Sequence, residues 1–128
     1  MITYAERVCF EASHRQLLTR VEQYVSRVSD DWGNELRCHE LARAIQIVTY
    51  GSGHTLVVVD GKCGPIEHSW LMMDGGKILD PYAPGRLPSV QLVDPIAGNY
   101  RPGEKRADIR HAIVDQLVIE MRGDPASS

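Results

Sequence analysis

Three side chains that could perform chemistry together, a cysteine, a histidine and an aspartate, follow one another in that order along the sequence. Cys38 lies in "ELRCHELARAIQIV", and His68 and Asp80 both lie in "EHSWLMMDGGKILDPYA". A thiolate is a strong nucleophile, a neighbouring imidazole can accept the proton of the thiol, and a carboxylate can fix the orientation of the imidazole. These residue types in this order indicate nucleophilic chemistry on an acyl group.

The cysteine lies on a predicted amphipathic helix. The inward stripe of this helix has helical spacing and consists of Cys38, Leu41, Ala42 and Ile45. Asn34 is a candidate N-cap, so the helix is expected to begin a turn before the cysteine. His39 is rotated away from the stripe, and we expect it on the solvent side of the helix, beside Arg43.

The histidine and the aspartate lie on predicted neighbouring strands. Three apolar runs between residues 54 and 83 are separated by "DGKCGP" and "DGG", a pattern that predicts an antiparallel meander. The turn at residues 74 to 76 brings the strand that contains His68 alongside the strand that ends near Asp80. Trp70 follows His68 by two residues and shares its face of the strand, where it either covers the site or belongs to the core.

Two further helices and a proline-rich segment are predicted for the rest of the chain. One helix begins at Ser13, after a short strand or ordered arm in residues 1 to 12. Residues 81 to 105 contain most of the prolines and are expected to form a surface loop with a short strand at "SVQLV". A closing helix is predicted over "ADIRHAIVDQLVIEMRG", with Asp108 near its cap. A strand at "QLVIEM" is the alternative. Residues 124 to 128 are expected to fray.

Composition limits the classes of protein to which the chain can belong. Its 128 residues suffice for one domain, so we interpret residues 1–128 as a single domain. The formal net charge of -3 gives no basic surface for nucleic acid. The amino terminus has no apolar stretch of signal-peptide or membrane length, so we expect a cytoplasmic protein that does not bind membranes. The three cysteines share no CxxC spacing, which argues against a disulfide framework and a thiolate zinc site.

Three segments of the chain share a pattern with a known family: "RCHELARAI", "EHSWLMM" and "ILDPYA". Together they resemble the transglutaminase-like branch of papain-fold cysteine enzymes. In that family a helix contains the nucleophilic cysteine, an H-x-W strand contains the histidine, and a following strand that ends in Asp-Pro contains the aspartate. The resemblance covers residues 34 to 83. It implies an α+β fold with a papain-like (transglutaminase-like) core, in which helices pack on a small antiparallel β-sheet.

The resemblance also implies roles for individual residues. Cys38 would be the nucleophile, His68 the general base and then the general acid, and Asp80 the orienting carboxylate, with no cofactor and no metal. The implied reaction is acyl chemistry through a thioester, as in a cysteine peptidase or amidase or an acyltransferase, on a peptide, protein or other amide-containing substrate. Arg37 replaces the glycine that often precedes the nucleophile in this family. Trp32, by its proximity, and the backbone amide of Cys38 are the candidates for the oxyanion donor.

Three other interpretations remain open at this stage. A metal-dependent hydrolase or metal-binding domain could use His54, His68 and Asp80, together with Cys63, because all four are permissible zinc ligands. A binding module could retain the same fold without catalysis. Cys63 could instead be the nucleophile, since it lies on the predicted turn "DGKCGP", although a helix dipole would not assist it there.

Overall fold

A computed structural model of the chain describes residues 4–82, 90–93 and 99–123, without the side chains of residues 4–13 and 34. In this part of the chain three helices accompany a five-stranded antiparallel sheet. The helices are α1 (Tyr4–Trp32), α2 (Cys38–Val48) and α3 (His111–Arg122). The α+β class expected from the sequence is therefore confirmed.

The sheet is built on the predicted meander. β1 (Leu56–Cys63), β2 (Ile66–Met73) and β3 (Ile78–Asp80) follow one another through short turns, and β4 (Gln91–Val93) and β5 (Tyr100–Pro102) form the two edges. The strand order is β4-β3-β2-β1-β5, and neighbouring strands are antiparallel. β4 falls within the predicted "SVQLV" strand, whereas the sequence pattern does not predict β5.

The register of the hairpin formed by β1 and β2 decides which side chains meet. Cys63 pairs with Ile66, so the turn consists of Gly64 and Pro65 alone. A positive φ of 61° at Gly64 suits this tight turn, because glycine adopts that conformation without a steric penalty. Cys63 is therefore the last residue of β1. Its predicted position on the turn is wrong, because the turn is shorter than "DGKCGP".

The start of α2 also differs from the sequence prediction. A 3-10 turn, Gly33–Glu35, follows α1, and its glycine has a positive φ of 52°. Leu36 and Arg37 are then extended, and α2 begins at Cys38. The prediction that this helix begins near Asn34 is wrong, because the chain uses residues 33 to 37 for the turn and the extended link.

Both ends of the described chain are helical. Helix α1 already includes Tyr4, so the strand or arm predicted for residues 1 to 12 is wrong from residue 4 onward, where "YAERVCFEAS" contains no proline or glycine to stop a helix. Helix α3 has Arg110 as its N-cap, two residues beyond Asp108, and it excludes the alternative strand at "QLVIEM". The predictions for residues 1–3, 83–89, 94–98 and 124–128 lie outside the described residues.

The helices cover one face of the sheet. Leu71 and Met73 of β2 and Leu79 of β3 join one apolar core with buried side chains of α1, α2 and α3. Burial of this core holds α2 against the strand that contains His68. No helix in the described ranges is apolar over a length that could cross a membrane.

A buried ion cluster fixes the first turn of α2. Glu40 is fully buried and binds the guanidinium groups of Arg37 and Arg110. Burial raises the pKa of Glu40, but hydrogen bonds from the two arginines lower it to about 2. Because Arg110 caps α3, this cluster ties the amino ends of α2 and α3 together.

Candidate active site

Cys38 is the first residue of α2, and its side chain is half-buried. The first N–H groups of a helix have no partner within the helix, and the helix dipole favours negative charge there. Burial raises the pKa of the thiol, but hydrogen bonds with His39 and His68, and the charge of His68, lower it to about 6. At neutral pH the side chain is therefore mostly the nucleophilic thiolate.

His68 and Asp80 form a buried pair on adjacent strands. Nε2 of His68 lies 2.8 Å from Oδ2 of Asp80, and both residues are almost fully shielded from solvent. Burial lowers the pKa of His68, but hydrogen bonds with Asp80 and Cys38 raise it to about 9. The structure thus brings together Cys38, His68 and Asp80, the three residues selected from the sequence.

Two further donors hold the carboxylate of Asp80. The backbone N–H of Tyr82 donates to Oδ1 at 3.0 Å, and the hydroxyl of Tyr100 donates to Oδ2 at 2.6 Å. These bonds leave the carboxylate little freedom to rotate away from His68. Sequence reasoning missed Tyr100, since it lies on β5 and no local pattern signals its long-range contact.

Aromatic side chains cover the pair formed by His68 and Asp80. Trp70 is fully buried, with its ring centroid 6.1 Å from that of His68 and 27° between the ring planes. The ring of Tyr100 meets Trp70 edge-on, at a centroid distance of 5.1 Å. Because these rings exclude water, they strengthen the interaction between the imidazole and the carboxylate.

His39 lies beside the thiol and not on the solvent side of α2. It is buried, and its Nδ1 and Nε2 atoms lie 3.6 and 3.9 Å from Sγ of Cys38. Nδ1 also lies 2.7 Å from Oγ of Ser69 on β2. The predicted exposure of His39 is wrong, because β2 covers not only the apolar stripe of α2 but also the side of its first turn on which His39 lies. Arg43 contacts the backbone carbonyl of His39 instead of its ring.

A second buried carboxylate lies behind His39. Ser69 donates its hydroxyl proton to Oδ1 of Asp60 at 2.5 Å, and the two residues lie directly opposite in the hairpin. Arg43 donates to both carboxylate oxygens, at 3.1 and 2.6 Å, and the backbone N–H of Arg106 donates to Oδ2. Burial raises the pKa of Asp60, but these donors, Arg43 above all, lower it to about 2. Asp60 is therefore ionised at neutral pH.

One of the two candidate oxyanion donors is engaged elsewhere. The indole N–H of Trp32 donates to a carboxylate oxygen of Glu120 on α3 at 3.1 Å. The backbone N–H of Cys38 is the first of its helix and has no acceptor within that helix. The amide of Cys38 is therefore the better candidate for stabilising an oxyanion.

The residues of the other interpretations do not form a site. Burial and the charge of Asp80 raise the pKa of Cys63, which makes its thiol less reactive than an ordinary one. The ring of His54 lies 6.1 Å from that of His14. Among the described residues, no three His, Cys, Asp or Glu side chains are grouped so that they could hold a metal ion, and the set of His54, His68 and Asp80 is not such a group.

The groups around Cys38 are of the kinds that nucleophilic chemistry requires. They are a half-buried thiolate, a protonated imidazole and a buried carboxylate that orients the imidazole. Neither a scan against models of protein families nor searches of the curated proteins and of the solved structures found a match to this chain.

Proposed function

We propose that this protein is a cysteine-dependent enzyme with a papain-like (transglutaminase-like) core, which attacks an amide or related acyl bond through Cys38. The observation that supports the proposal best is a half-buried thiol with a pKa of about 6 beside the His68 and Asp80 pair. A buried cysteine that serves only packing is inert and keeps its proton at neutral pH. A strongly lowered thiol pKa with a specific charge partner is instead typical of a catalytic nucleophile.

The first half of the reaction forms a thioester on Cys38. Sγ attacks the acyl carbon, a C–S bond forms, and the carbonyl π electrons move to oxygen, where the amide of Cys38 donates a hydrogen bond. The imidazolium of His68 gives its proton to the leaving amine as the C–N bond breaks. Asp80 holds the imidazole ring in place and stabilises its positive charge.

The second half transfers the acyl group from the thioester to an acceptor. With water as the acceptor the protein is a peptidase or amidase, and with a primary amine it is a transglutaminase-like acyltransferase. Both outcomes use the same thioester. A peptide, a protein or another amide-containing molecule is the substrate class that fits this chemistry.

Stopped-flow reaction with p-nitrophenyl acetate tests the proposal directly. We expect a burst of one equivalent of p-nitrophenol, which Cys38→Ala abolishes and His68→Ala slows. His111→Gln is the matched control, because His111 is an exposed histidine at the start of α3, and it should leave the burst unchanged. An added alkylamine that captures the acyl group as an amide indicates a transferase, and unchanged hydrolysis indicates a hydrolase.

Two results would contradict the proposal. Folded wild-type protein that gives no burst would favour a binding module. A burst that persists in Cys38→Ala would place the chemistry on another residue.

A further inference from the structure

Two consecutive residues of β2 point to opposite faces of the sheet, and each belongs to a hydrogen-bond network near the thiol. His68 meets Asp80 on one face, and Ser69 meets Asp60 on the other. His39 reaches from α2 to Ser69 while its ring contacts the sulfur of the nucleophile. The thiol therefore has two imidazoles near it, each connected to its own buried carboxylate.

The hydrogen positions on His39 follow from its partners. Asp60 is ionised and can only accept, so it receives the single hydroxyl proton of Ser69. Oγ of Ser69 must then accept the bond from His39, which places a hydrogen on Nδ1 of the imidazole. In the neutral ring the lone pair is consequently on Nε2, which lies 3.9 Å from Sγ of Cys38. A general base at this site needs this tautomer.

We propose that His39 is a second catalytic residue, which removes the proton from the water or amine that resolves the thioester on Cys38. As the bond forms between the acceptor and the acyl carbon, the proton of the acceptor moves to Nε2 of His39. The C–S bond then breaks, its electron pair returns to sulfur as a thiolate, and His39 later releases the proton to solvent. Ser69 and Asp60 are positioning residues that fix the tautomer and the ring.

This inference rests on the proposed function and divides its two proton transfers between two histidines. His68 gives its proton to the leaving amine in the first half and then takes another proton from solvent, because the hydrogen bond with Asp80 favours its protonated form. In that form it has no free lone pair and suits a general acid. His39 supplies the lone pair that the acceptor needs. Arg43 holds Asp60 through both carboxylate oxygens, so the chain of hydrogen bonds behind His39 is anchored at its far end.

Pre-steady-state hydrolysis of p-nitrophenyl acetate by the full chain at pH 8 separates the two steps. His39→Asn retains an N–H that can donate to Ser69 but has no basic lone pair. We expect the burst rate to stay within about fivefold of wild type, while release of the acyl group slows by about 100-fold, because loss of a general base has costs of this size. Intact mass spectrometry should then detect accumulated acyl-enzyme. His111→Gln should behave as wild type.

An added base distinguishes a chemical role from a structural one. Imidazole in solution can accept the proton of the attacking water, so it should speed acyl release in His39→Asn by a larger factor than in wild type; a merely structural defect would show no such difference. Ser69→Ala leaves the imidazole in place but removes its acceptor, and it should slow acyl release by about tenfold as a positioning defect. Ser69→Ala also provides the test if His39→Asn does not fold.

The outcomes separate this inference from the proposed function. Two results would overturn the role of His39 but leave the thioester on Cys38 in place. One is a burst rate and a rate of acyl release that fall by the same factor, and the other is acyl release at the wild-type rate in the folded variants. A wild-type protein that shows no burst would overturn both.

Discussion

Nε2 of His68 lies 2.8 Å from Oδ2 of Asp80, in a part of the protein that is shielded from water. β3 has three residues and ends at this aspartate, so the bond joins the last residue of β3 to the neighbouring strand β2. A polar pair in this position could serve folding alone. Burial raises the pKa of the Cys38 thiol, however, and the same imidazole helps to lower it, which connects the pair to a reactive thiol.

Asp80→Asn should separate the chemical role of the carboxylate from its structural role. Asparagine cannot stabilise the imidazolium, so acylation of Cys38 should slow by at least about 100-fold, in analogy with the serine triad. The pKa of His68 should fall from about 9, since the hydrogen bond with Asp80 helps to raise it. Stopped-flow acylation and an NMR titration of the imidazole measure the two effects. Normal acylation by a folded but less stable variant would assign Asp80 to structure.

Tyr100→Phe should weaken the same site more mildly. The variant keeps the ring that packs on Trp70 but loses the hydroxyl that donates to Asp80 at 2.6 Å. We expect a loss of about 1 kcal/mol in the free energy of unfolding, and acylation slowed by about tenfold or less, because one hydrogen bond of this kind contributes about that much. Urea titration and stopped-flow acylation check both. A larger loss of activity than in Asp80→Asn would contradict the supporting role of Tyr100.

Cys38 should be the most reactive of the described thiols at neutral pH. Its alkylation rate should rise through a midpoint near pH 6, whereas Cys63, whose pKa is raised, should react only in more alkaline solution. His68→Ala should move the Cys38 midpoint upward, since His68 helps to lower that pKa. Iodoacetamide labelling across pH, followed by peptide mass spectrometry, measures these rates. Cys63→Ser is the control and should leave the Cys38 profile unchanged; equal rates for both thiols at pH 7 would contradict activation.

Glu40→Gln should destabilise the protein in a pH-dependent way. The variant removes the charge between Arg37 and Arg110, so the free energy of unfolding at pH 7 should fall by about 2 to 4 kcal/mol. Burial raises the pKa of Glu40, but the arginines lower it from the ordinary value of 4.5 to about 2. The stabilisation from the charged carboxylate is therefore complete at pH values above 4.5 and is lost as the pH falls through 2.

Urea titrations between pH 7 and pH 2 measure this difference between variant and wild type. The difference should shrink toward the acid end, because wild-type Glu40 then also loses its charge. Glu35→Gln alters an exposed carboxylate one turn away and should change stability by less than about 0.5 kcal/mol. A difference that stays constant across this range would contradict the ion cluster.

Short-range patterns in the sequence predict much of the fold and the members of the candidate triad. The meander is predicted by Asp-Gly dipeptides between apolar runs, although only the second of them forms a turn in the structure, and it places His68 and Asp80 on adjacent strands. The start of α2 is not predictable in this way, because Asn34 resembles a cap while a positive φ at Gly33 redirects the chain. The resulting error hides the position of Cys38 at the helix amino end, where a thiolate is favoured.

The hydrogen bonds around the thiol depend on contacts between distant residues. Helical periodicity assigns His39 to the solvent side, since it takes no account of β2 lying against the first turn of α2. The bond between Ser69 and Asp60 could be found from the sequence if Gly64 and Pro65 are taken as a two-residue turn, because that register puts the two residues opposite each other. Tyr100 offers no such signal, as its contact with Asp80 depends on the path of the intervening segment.

Mass spectrometry of the acylated protein tests the central claim most directly. Wild-type protein mixed with p-nitrophenyl acetate and quenched in acid within the burst should gain one acetyl group, and peptide mapping should locate it on Cys38 as an adduct that neutral hydroxylamine removes. Cys38→Ser should lack this thioester. No acetyl group on Cys38 at any quench time in folded wild-type protein, or an acetyl group found on Cys63 or on lysines alone, would contradict the account.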